Sequence, residues 1–183
     1  MSKVCVFSGT GFEEIEAITV VDILRRQRID TKMVSVTGDR TVMGAHQIPV
    51  LTDALIEKIS FSDVDVIILP GGGGGTKVLE ACEPLMKQVD AFAAEGKTIC
   101  AICAAPSILG HRGILKGKKA IAYPGFEDQL TGAEVVYEPA VKDGNIITGR
   151  GMGCSLPFAL LVLEHLAGEK AAKAMADKIV YSK

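Results

Sequence analysis

Apolar and polar positions follow two rhythms along the chain, and the switches between them mark its elements. Val4, Cys5, Val6 and Phe7 form an unbroken apolar run, so residues 3–7 read as a short buried strand. Over residues 13–28 the apolar side chains of Ile15, Ile18, Val21 and Leu24 recur at helical spacing. Residues 31–36 return to β-branched alternation and predict a second strand. Residues 41–51 carry a turn at Gly44 and an internal Pro49, the pattern of a small edge hairpin. Residues 64–69 are continuously apolar between Asp and Pro-Gly, as expected of a central parallel strand buried on both faces. Residues 79–95 read as mostly helical, with Pro84 at the start of its own helix, where the missing N–H is tolerated. Strands are predicted at 98–102 and 120–122, and residues 135–141 and 145–148 flank the hairpin turn Asp143-Gly144. Helices at 156–166 and 169–181 follow, with Gly168 as the cap between them.

Strands alternating with helices around continuously apolar central strands predict one α/β domain over residues 1–183. Its expected core is a doubly wound, mostly parallel sheet sandwiched by helices. Sites in such sheets lie at the carboxyl ends of the strands. Composition narrows what those sites can be. A chain of 183 residues buries about 70% of its unfolded surface, enough for a core without metal or disulfide staples. A net charge of −2 with no basic face argues against nucleic-acid binding. The longest apolar run, within 156–163, is far shorter than a membrane span. A strand begins at the amino terminus with no long apolar h-region, so no signal peptide is expected. Five cysteines, an odd number, predict free thiols in a reducing compartment and hence a cytoplasmic protein.

Three strand ends carry candidate chemistry. After the first strand, Ser8-Gly-Thr-Gly-Phe-Glu-Glu starts like a dinucleotide fingerprint, but Glu14 takes the place of the third glycine. Acidic side chains there would repel a pyrophosphate, so no nucleotide cofactor is expected. Glu13 and Glu14 read as charges balancing the helix dipole, while Glu16, one turn in, could point back over the sheet. After the 64–69 strand comes Gly71–Gly75, which fails the phosphate-binding pattern because Thr76 precedes Lys77. The run reads either as a flexible loop or as a place where Gly72 lets an N–H approach a reacting atom. After the 98–102 strand, Cys103-Ala-Ala-Pro106 predicts a sharp strand-to-helix turn, the geometry of a nucleophile elbow with Cys in place of Ser. A helix start behind it would lower the thiol pKa. Cys100 reads as core. Of the three histidines, His165 reads as a helix-terminal residue and His111 as a solvated loop residue. His46, in the hairpin, could reach a neighbouring site. No metal-ligand motif is visible.

Gly-Phe-Glu-Glu-Ile-Glu at 11–16, Leu-Pro-Gly-Gly at 69–72 and Ala-Ile-Cys-Ala-Ala-Pro at 101–106, in this order and spacing, resemble the DJ-1/PfpI (ThiJ) superfamily. The likeness is to the DJ-1-like branch and runs over nearly the whole chain. It implies a flavodoxin-like fold and a homodimer. It also implies a protonated Glu16 hydrogen-bonded to a Cys103 thiolate, with an oxyanion hole made by the N–H groups of Gly72 and Ala104. The activity implied is that of a glutathione-independent glyoxalase or deglycase acting, without cofactor, on small aldehydes such as methylglyoxal. A non-enzymatic oxidative-stress sensor or chaperone built on an oxidisable Cys103 is the alternative. Two departures bear on this. Ala104 stands where the peptidase-like branch has the His of a Cys–His dyad, which argues against a peptidase or amidase. Tyr123 stands before Pro124 where the DJ-1 branch has a His. By the same resemblance, His46 and Arg150 are further pocket candidates.

Overall fold

The structure, a computed structural model, describes residues 2–181. Eleven strands and six helices follow in chain order: β1 Lys3–Ser8, α1 Glu14–Arg26, β2 Asp30–Ser35, β3 Thr41–Met43, β4 Pro49–Leu51, β5 Ala54–Leu55, β6 Val66–Leu69, α2 Gly73–Ala81, α3 Glu83–Glu95, β7 Thr98–Ile102, α4 Pro106–His111, β8 Lys119–Ala120, β9 Glu134–Val135, β10 Ala140–Asp143, β11 Ile146–Gly149, α5 Ser155–Ala167 and α6 Glu169–Lys178. Seven strands form one sheet in the order β10-β11-β7-β6-β1-β2-β5. All its pairs are parallel except β10 with β11.

The central strands are apolar throughout because both faces of the sheet are covered. Side chains alternate between two cores. Val4, Val6, Val66, Ile68, Cys100 and Ile102 pack with α1, α5 and α6. Cys5, Phe7, Ile67, Leu69, Ile99 and Ala101 pack with α2, α3 and α4. The architecture is therefore the flavodoxin-like sandwich expected. Among the described residues no helix is long and apolar enough to cross a membrane.

Local differences from the sequence reading have physical causes. The hairpin β3–β4 is not an edge of the main sheet; it forms a two-stranded sheet of its own. Its backbone is taken up by the loop after β1, through Gly11 N–H to Met43 O at 2.7 Å and Ala45 N–H to Phe12 O at 2.8 Å. The edge is β5, two residues long and too short to carry a pattern. Residues 79–95 split into α2 and α3 at Cys82, with Pro84 in the first turn of α3. The glycine run is not a loop throughout, since Gly73–Gly75 begin α2. Val135 leaves the predicted 135–141 strand and, with Glu134, pairs with β8 instead, so the hairpin at Asp143-Gly144 starts at Ala140.

Candidate active site

In this sheet β1 is flanked by β2 on one side and β6 on the other, so the chain reverses its direction of travel there. Crevices form at such a switch point, outside the carboxyl ends of the strands. The neighbouring strands β1, β6 and β7 deliver Glu13–Glu16, Gly71–Gly72 and Cys103 to that end.

Cys103 follows β7 directly and has a φ of 65°. That left-handed conformation costs a non-glycine residue about 1–2 kcal/mol, so its surroundings must hold it. Its N–H donates to Gly149 O at 2.9 Å, and its carbonyl accepts from Tyr123 N–H at 2.8 Å. Ala105 N–H closes the turn on Ile102 O at 3.1 Å, and Pro106 opens α4. The strand-to-helix turn is the one the sequence predicts.

Glu16 comes from the first turn of α1 and is 1% exposed. Its Oε2 accepts Gly71 N–H at 2.8 Å. Its Oε1 is buried without a conventional hydrogen-bond partner, and the Cys103 thiol lies against the carboxyl. Burial pushes Glu16 up to about 7, against the pull of Gly71 N–H and the thiol. Cys103 is not lowered by a helix start as expected. Burial, then the charge of Glu16 and its hydrogen bond, push it up to about 12, with the N–H groups of Gly72 and Ala104 pulling the other way. The helix behind it is only six residues long and begins three positions later, at Pro106. Between the two values the pair shares one proton and one negative charge. When Glu16 holds the proton, its charge no longer opposes the thiolate and the two backbone N–H groups favour it.

Close packing explains the glycines. A Cβ on Gly71 would lie 2.6 Å from Cys103 Cβ and 2.8 Å from Glu16 Oε2. A Cβ on Gly72 would lie 2.3 Å from Gly11 O, and its φ is 87°. Gly71 escapes notice in the sequence because five successive glycines look alike.

The structure places the other candidates unevenly. Tyr123 is joined to Cys103 through the backbone, but its half-exposed ring lies on Gly151, where a Cβ would sit 3.0 Å from Cδ2. Arg150 is exposed, and its side chain makes no hydrogen bond or ion pair among the described residues. It follows β11, whose Gly149 holds Cys103, but nothing brings its guanidinium into the cluster. His46 does join the neighbourhood. Its N–H donates to Glu14 Oε1 at 2.7 Å, its Nδ1 lies 2.9 Å from Glu14 Oε2, and Glu13 Oε1 is 3.7 Å away. Glu14 is therefore more than a balance for the helix dipole: it is 3% exposed and binds the hairpin to α1. Gly44 leaves room for it, since a Cβ there would lie 2.1 Å from Glu14 Oε1. The donor atoms of Glu13, Glu14 and His46 lie within 4.8 Å of one another. Both Glu14 oxygens are engaged by His46, and that spacing is the spacing of an ion pair. The remaining histidines are occupied elsewhere, His111 with Glu80 at 2.7 Å and His165 with Thr98 at 2.9 Å.

A model of the DJ-1/PfpI family matches residues 2–165. The chain belongs to that family. The DJ-1 homolog B of Arabidopsis thaliana is 36% identical over 180 residues, covering 97% of this chain and 41% of its own length, so the chain spans less than half of that relative. The dj-1beta protein of Drosophila melanogaster is 34% identical over 183 residues, with 98% of each covered. A deglycase of Pyrococcus horikoshii is 30% identical over 150 residues, covering 81% of this chain and 89% of that one. Among solved structures, a Cys→Ala variant of a Salmonella typhimurium DJ-1 superfamily protein superposes with a TM-score of 0.94 at 34% identity, each chain fully covered. Oxidised Toxoplasma gondii DJ-1 superposes with 0.95 at 32% identity, again over 100% of both chains. These matches put the chain in the DJ-1-like branch.

Proposed function

We propose that this DJ-1-like chain is a glutathione-independent glyoxalase- or deglycase-type enzyme that uses Cys103 on small reactive aldehydes such as methylglyoxal. The observation that carries this reading is the Cys103–Glu16 pair: a strained cysteine beside a buried carboxyl raised to about 7, with the N–H groups of Gly72 and Ala104 at the sulfur. The deglycase among the relatives supports the same chemistry.

In this mechanism Glu16 holds the pair's proton and the Cys103 thiolate attacks the aldehyde carbon. The S–C bond forms and the carbonyl pair moves to oxygen, where the Gly72 and Ala104 N–H groups meet it. Glu16 gives its proton to that oxygen; the carbon bearing sulfur then loses its hydrogen as a proton to the Glu16 carboxylate, leaving an enediolate, and Glu16 returns that proton to the neighbouring carbonyl carbon. One carbon is oxidised and its neighbour reduced, so no external electron acceptor is needed. Water cleaves the resulting thioester, releasing lactate and the cysteine. Tyr123, tied to Cys103 through its N–H, is the side chain assigned in this reading to hydrogen-bond a substrate oxygen. Five free cysteines fit a reducing cytoplasmic setting.

We also infer that a second copy of the chain covers Ile15, Ile18 and Leu156, which lie exposed on α1 and α5 beside a groove of about 440 Å³. The test is to incubate reduced protein with methylglyoxal alone, quantify lactate by chiral chromatography, and run Cys103→Ser alongside. Lactate of one hand, lost by a factor of about 1,000 or more in the variant, is the expected result. No lactate from fully reduced protein overturns the enzyme and leaves oxidation of Cys103 as the function. Light scattering on the same preparation should give twice the chain mass, and a monomer mass overturns the pairing.

A further inference from the structure

Strand β11 reads Ile146-Ile147-Thr148-Gly149 and is buried throughout, so its one hydroxyl has to be accounted for. Alternation puts Thr148 on the same face as Ile146, toward the core that also takes Ala120 and Ala122. The chain over residues 119–123 runs past that face outside the main sheet, since β8 pairs with β9. Ile121 is 1% exposed and lies beyond the end of β8, and its N–H goes to Thr148 Oγ1 at 3.0 Å. Gly149, next in β11, accepts the N–H of Cys103 at 2.9 Å. Tyr123, two residues after Ile121, donates its N–H to the Cys103 carbonyl at 2.8 Å. These three hydrogen bonds close a ring through Cys103, Gly149, Thr148, Ile121 and Tyr123. The ring grips the peptide groups on both sides of Cys103, and those are the groups that set its φ of 65°. Thr148 joins through its side chain and the other four through backbone, so Thr148 is where the amino-acid sequence decides whether the ring closes.

We propose that Thr148 is a positioning residue for the nucleophile: its hydroxyl closes the ring that holds Cys103 in its left-handed conformation, and so keeps the sulfur beside Glu16 and the N–H groups of Gly72 and Ala104. Its part in turnover rests on the glyoxalase reading of the same site, whereas its hold on Cys103 does not. Without the hydroxyl, the buried N–H of Ile121 has no acceptor, which a folded chain avoids by moving. Residues 121–123 then shift, and the Tyr123 N–H leaves the Cys103 carbonyl. A left-handed residue that its surroundings no longer enforce relaxes. The sulfur moves away from the two N–H groups that favour its charge, and the thiolate loses their support. The close approach of β11 to the turn is built in at Gly149, where a Cβ would lie 2.9 Å from Ile102 Cδ1 and 2.9 Å from Phe158 Cδ2.

The test is Thr148→Val, which keeps the branched shape and removes the hydroxyl, beside Thr148→Ser, which keeps the hydroxyl. Thr31→Val is the control; it removes a buried hydroxyl that donates to Ile29 O at 3.1 Å in another part of the sheet. Iodoacetamide labelling of Cys103, followed by mass spectrometry across pH, reports the thiolate without any substrate. In Thr148→Val the labelling midpoint should rise by about one pH unit, which lowers the rate at pH 7 about 10-fold. Lactate formation should lose about 10-fold in kcat with little change in KM. Thr148→Ser and Thr31→Val should label like the parent. A Thr148→Val protein that loses stability but keeps the parent's labelling midpoint overturns the proposal, because a purely structural threonine moves the first and not the second. If Thr148→Val does not fold, deuterium exchange in the parent decides the matter. The amides of Cys103, Ile121 and Tyr123 should be protected within about 10-fold of one another, as members of one unit that opens together; an Ile121 amide outside that range overturns the ring. Parent protein that makes no lactate sinks the glyoxalase reading, and the labelling midpoint still rules on Thr148.

Discussion

Each end of the parallel sheet holds a cysteine, buried at the amino end and half-buried at the carboxyl end, and their surroundings differ. At the amino end a cavity of about 160 Å³ opens among Lys3, Cys5, Asp30, Lys32, Lys58 and Asp63. Cys5 there sits within the extended strand β1, and burial pushes its thiol up to about 11. Its polar surroundings are matched, with Lys3 N–H on Asp65 Oδ2 at 2.9 Å and Lys3 Nζ near Asp63 at 3.6 Å. At the carboxyl end the backbone of Cys103 is strained. The buried side-chain oxygens without partners among the described residues are Ser8 Oγ at the tip of β1, Glu16 Oε1 and Thr76 Oγ1 in α2. All three follow from the strand ends β1 and β6. Buried polar groups are nearly always satisfied, and strain persists only where surrounding structure enforces it. Left-handed backbone also occurs at the amino end, at Arg28 just before β2, so the unpartnered buried oxygens set the carboxyl end apart, and cavity volume does not.

The largest effect on this contrast should come from Gly72→Ala. The added Cβ meets the backbone carbonyl of Gly11 at 2.3 Å at a φ of 87°. The left-handed conformation alone costs a side chain about 1–2 kcal/mol, and a clash with backbone cannot be relieved by a rotamer change. The expected loss of stability in urea is about 3–4 kcal/mol. Lactate formation should fall with it even in the folded fraction, because the N–H at the sulfur has to move. A variant as stable and active as the parent would mean that the close approach of Gly72 plays no part in holding the site.

Glu16→Gln should have a smaller effect with a telling pH dependence. The folded value of Glu16, about 7, lies above its ordinary 4.5. Its contribution to stability is therefore fully present below 4.5 and is lost as pH rises through about 7. The amide carries no such charge. At pH 8.5 the variant should be the more stable by up to about 3 kcal/mol, and below pH 4.5 the difference should vanish. Activity should be lost at both. Parallel stability curves for parent and variant across this range would remove the buried carboxyl's special standing and return the carboxyl end to the same footing as the amino end.

Much of this contrast is legible in the sequence, and the illegible parts share a cause. Cys103 stands out because an apolar strand runs into Ala-Ala-Pro, a purely local signal. The alternation of the central strands likewise follows from neighbouring residues and predicts both cores. Glu16 is marked only by resemblance to the DJ-1-like branch, since helical spacing cannot say that a carboxyl in the first turn is buried against a thiol. Glu14 reads as a dipole charge because its partner, His46, lies 32 residues away in a hairpin whose docking no local pattern reveals. Arg150, a candidate by the same resemblance, is exposed, and no hydrogen bond or ion pair among the described residues ties its side chain to the pair. The thiol's shift runs opposite to the sequence expectation for a related reason. A helix start is visible in the sequence, whereas the burial that outweighs it is a property of the packed molecule.

The smallest effect, and the sharpest control on the comparison, is expected from Cys5→Ser. Cys5 is 3% exposed and packs with Phe7, Ile67 and Leu69 in the core beneath α2 and α3. A hydroxyl there has to find a hydrogen bond or forgo one, which costs about 1–3 kcal/mol by mutational measures. The urea midpoint should fall accordingly. Lactate formation by the folded protein should not change, because the thiol of Cys5 has no shared proton, no strained backbone and no N–H groups gathered on its sulfur. An exposed-thiol reagent at pH 8 should label Cys103 well before Cys5 in the parent protein. If Cys5→Ser instead lowered kcat as Cys103→Ser does, the amino-end cavity would be part of the working site. The unpartnered oxygens would then have pointed to only half of it.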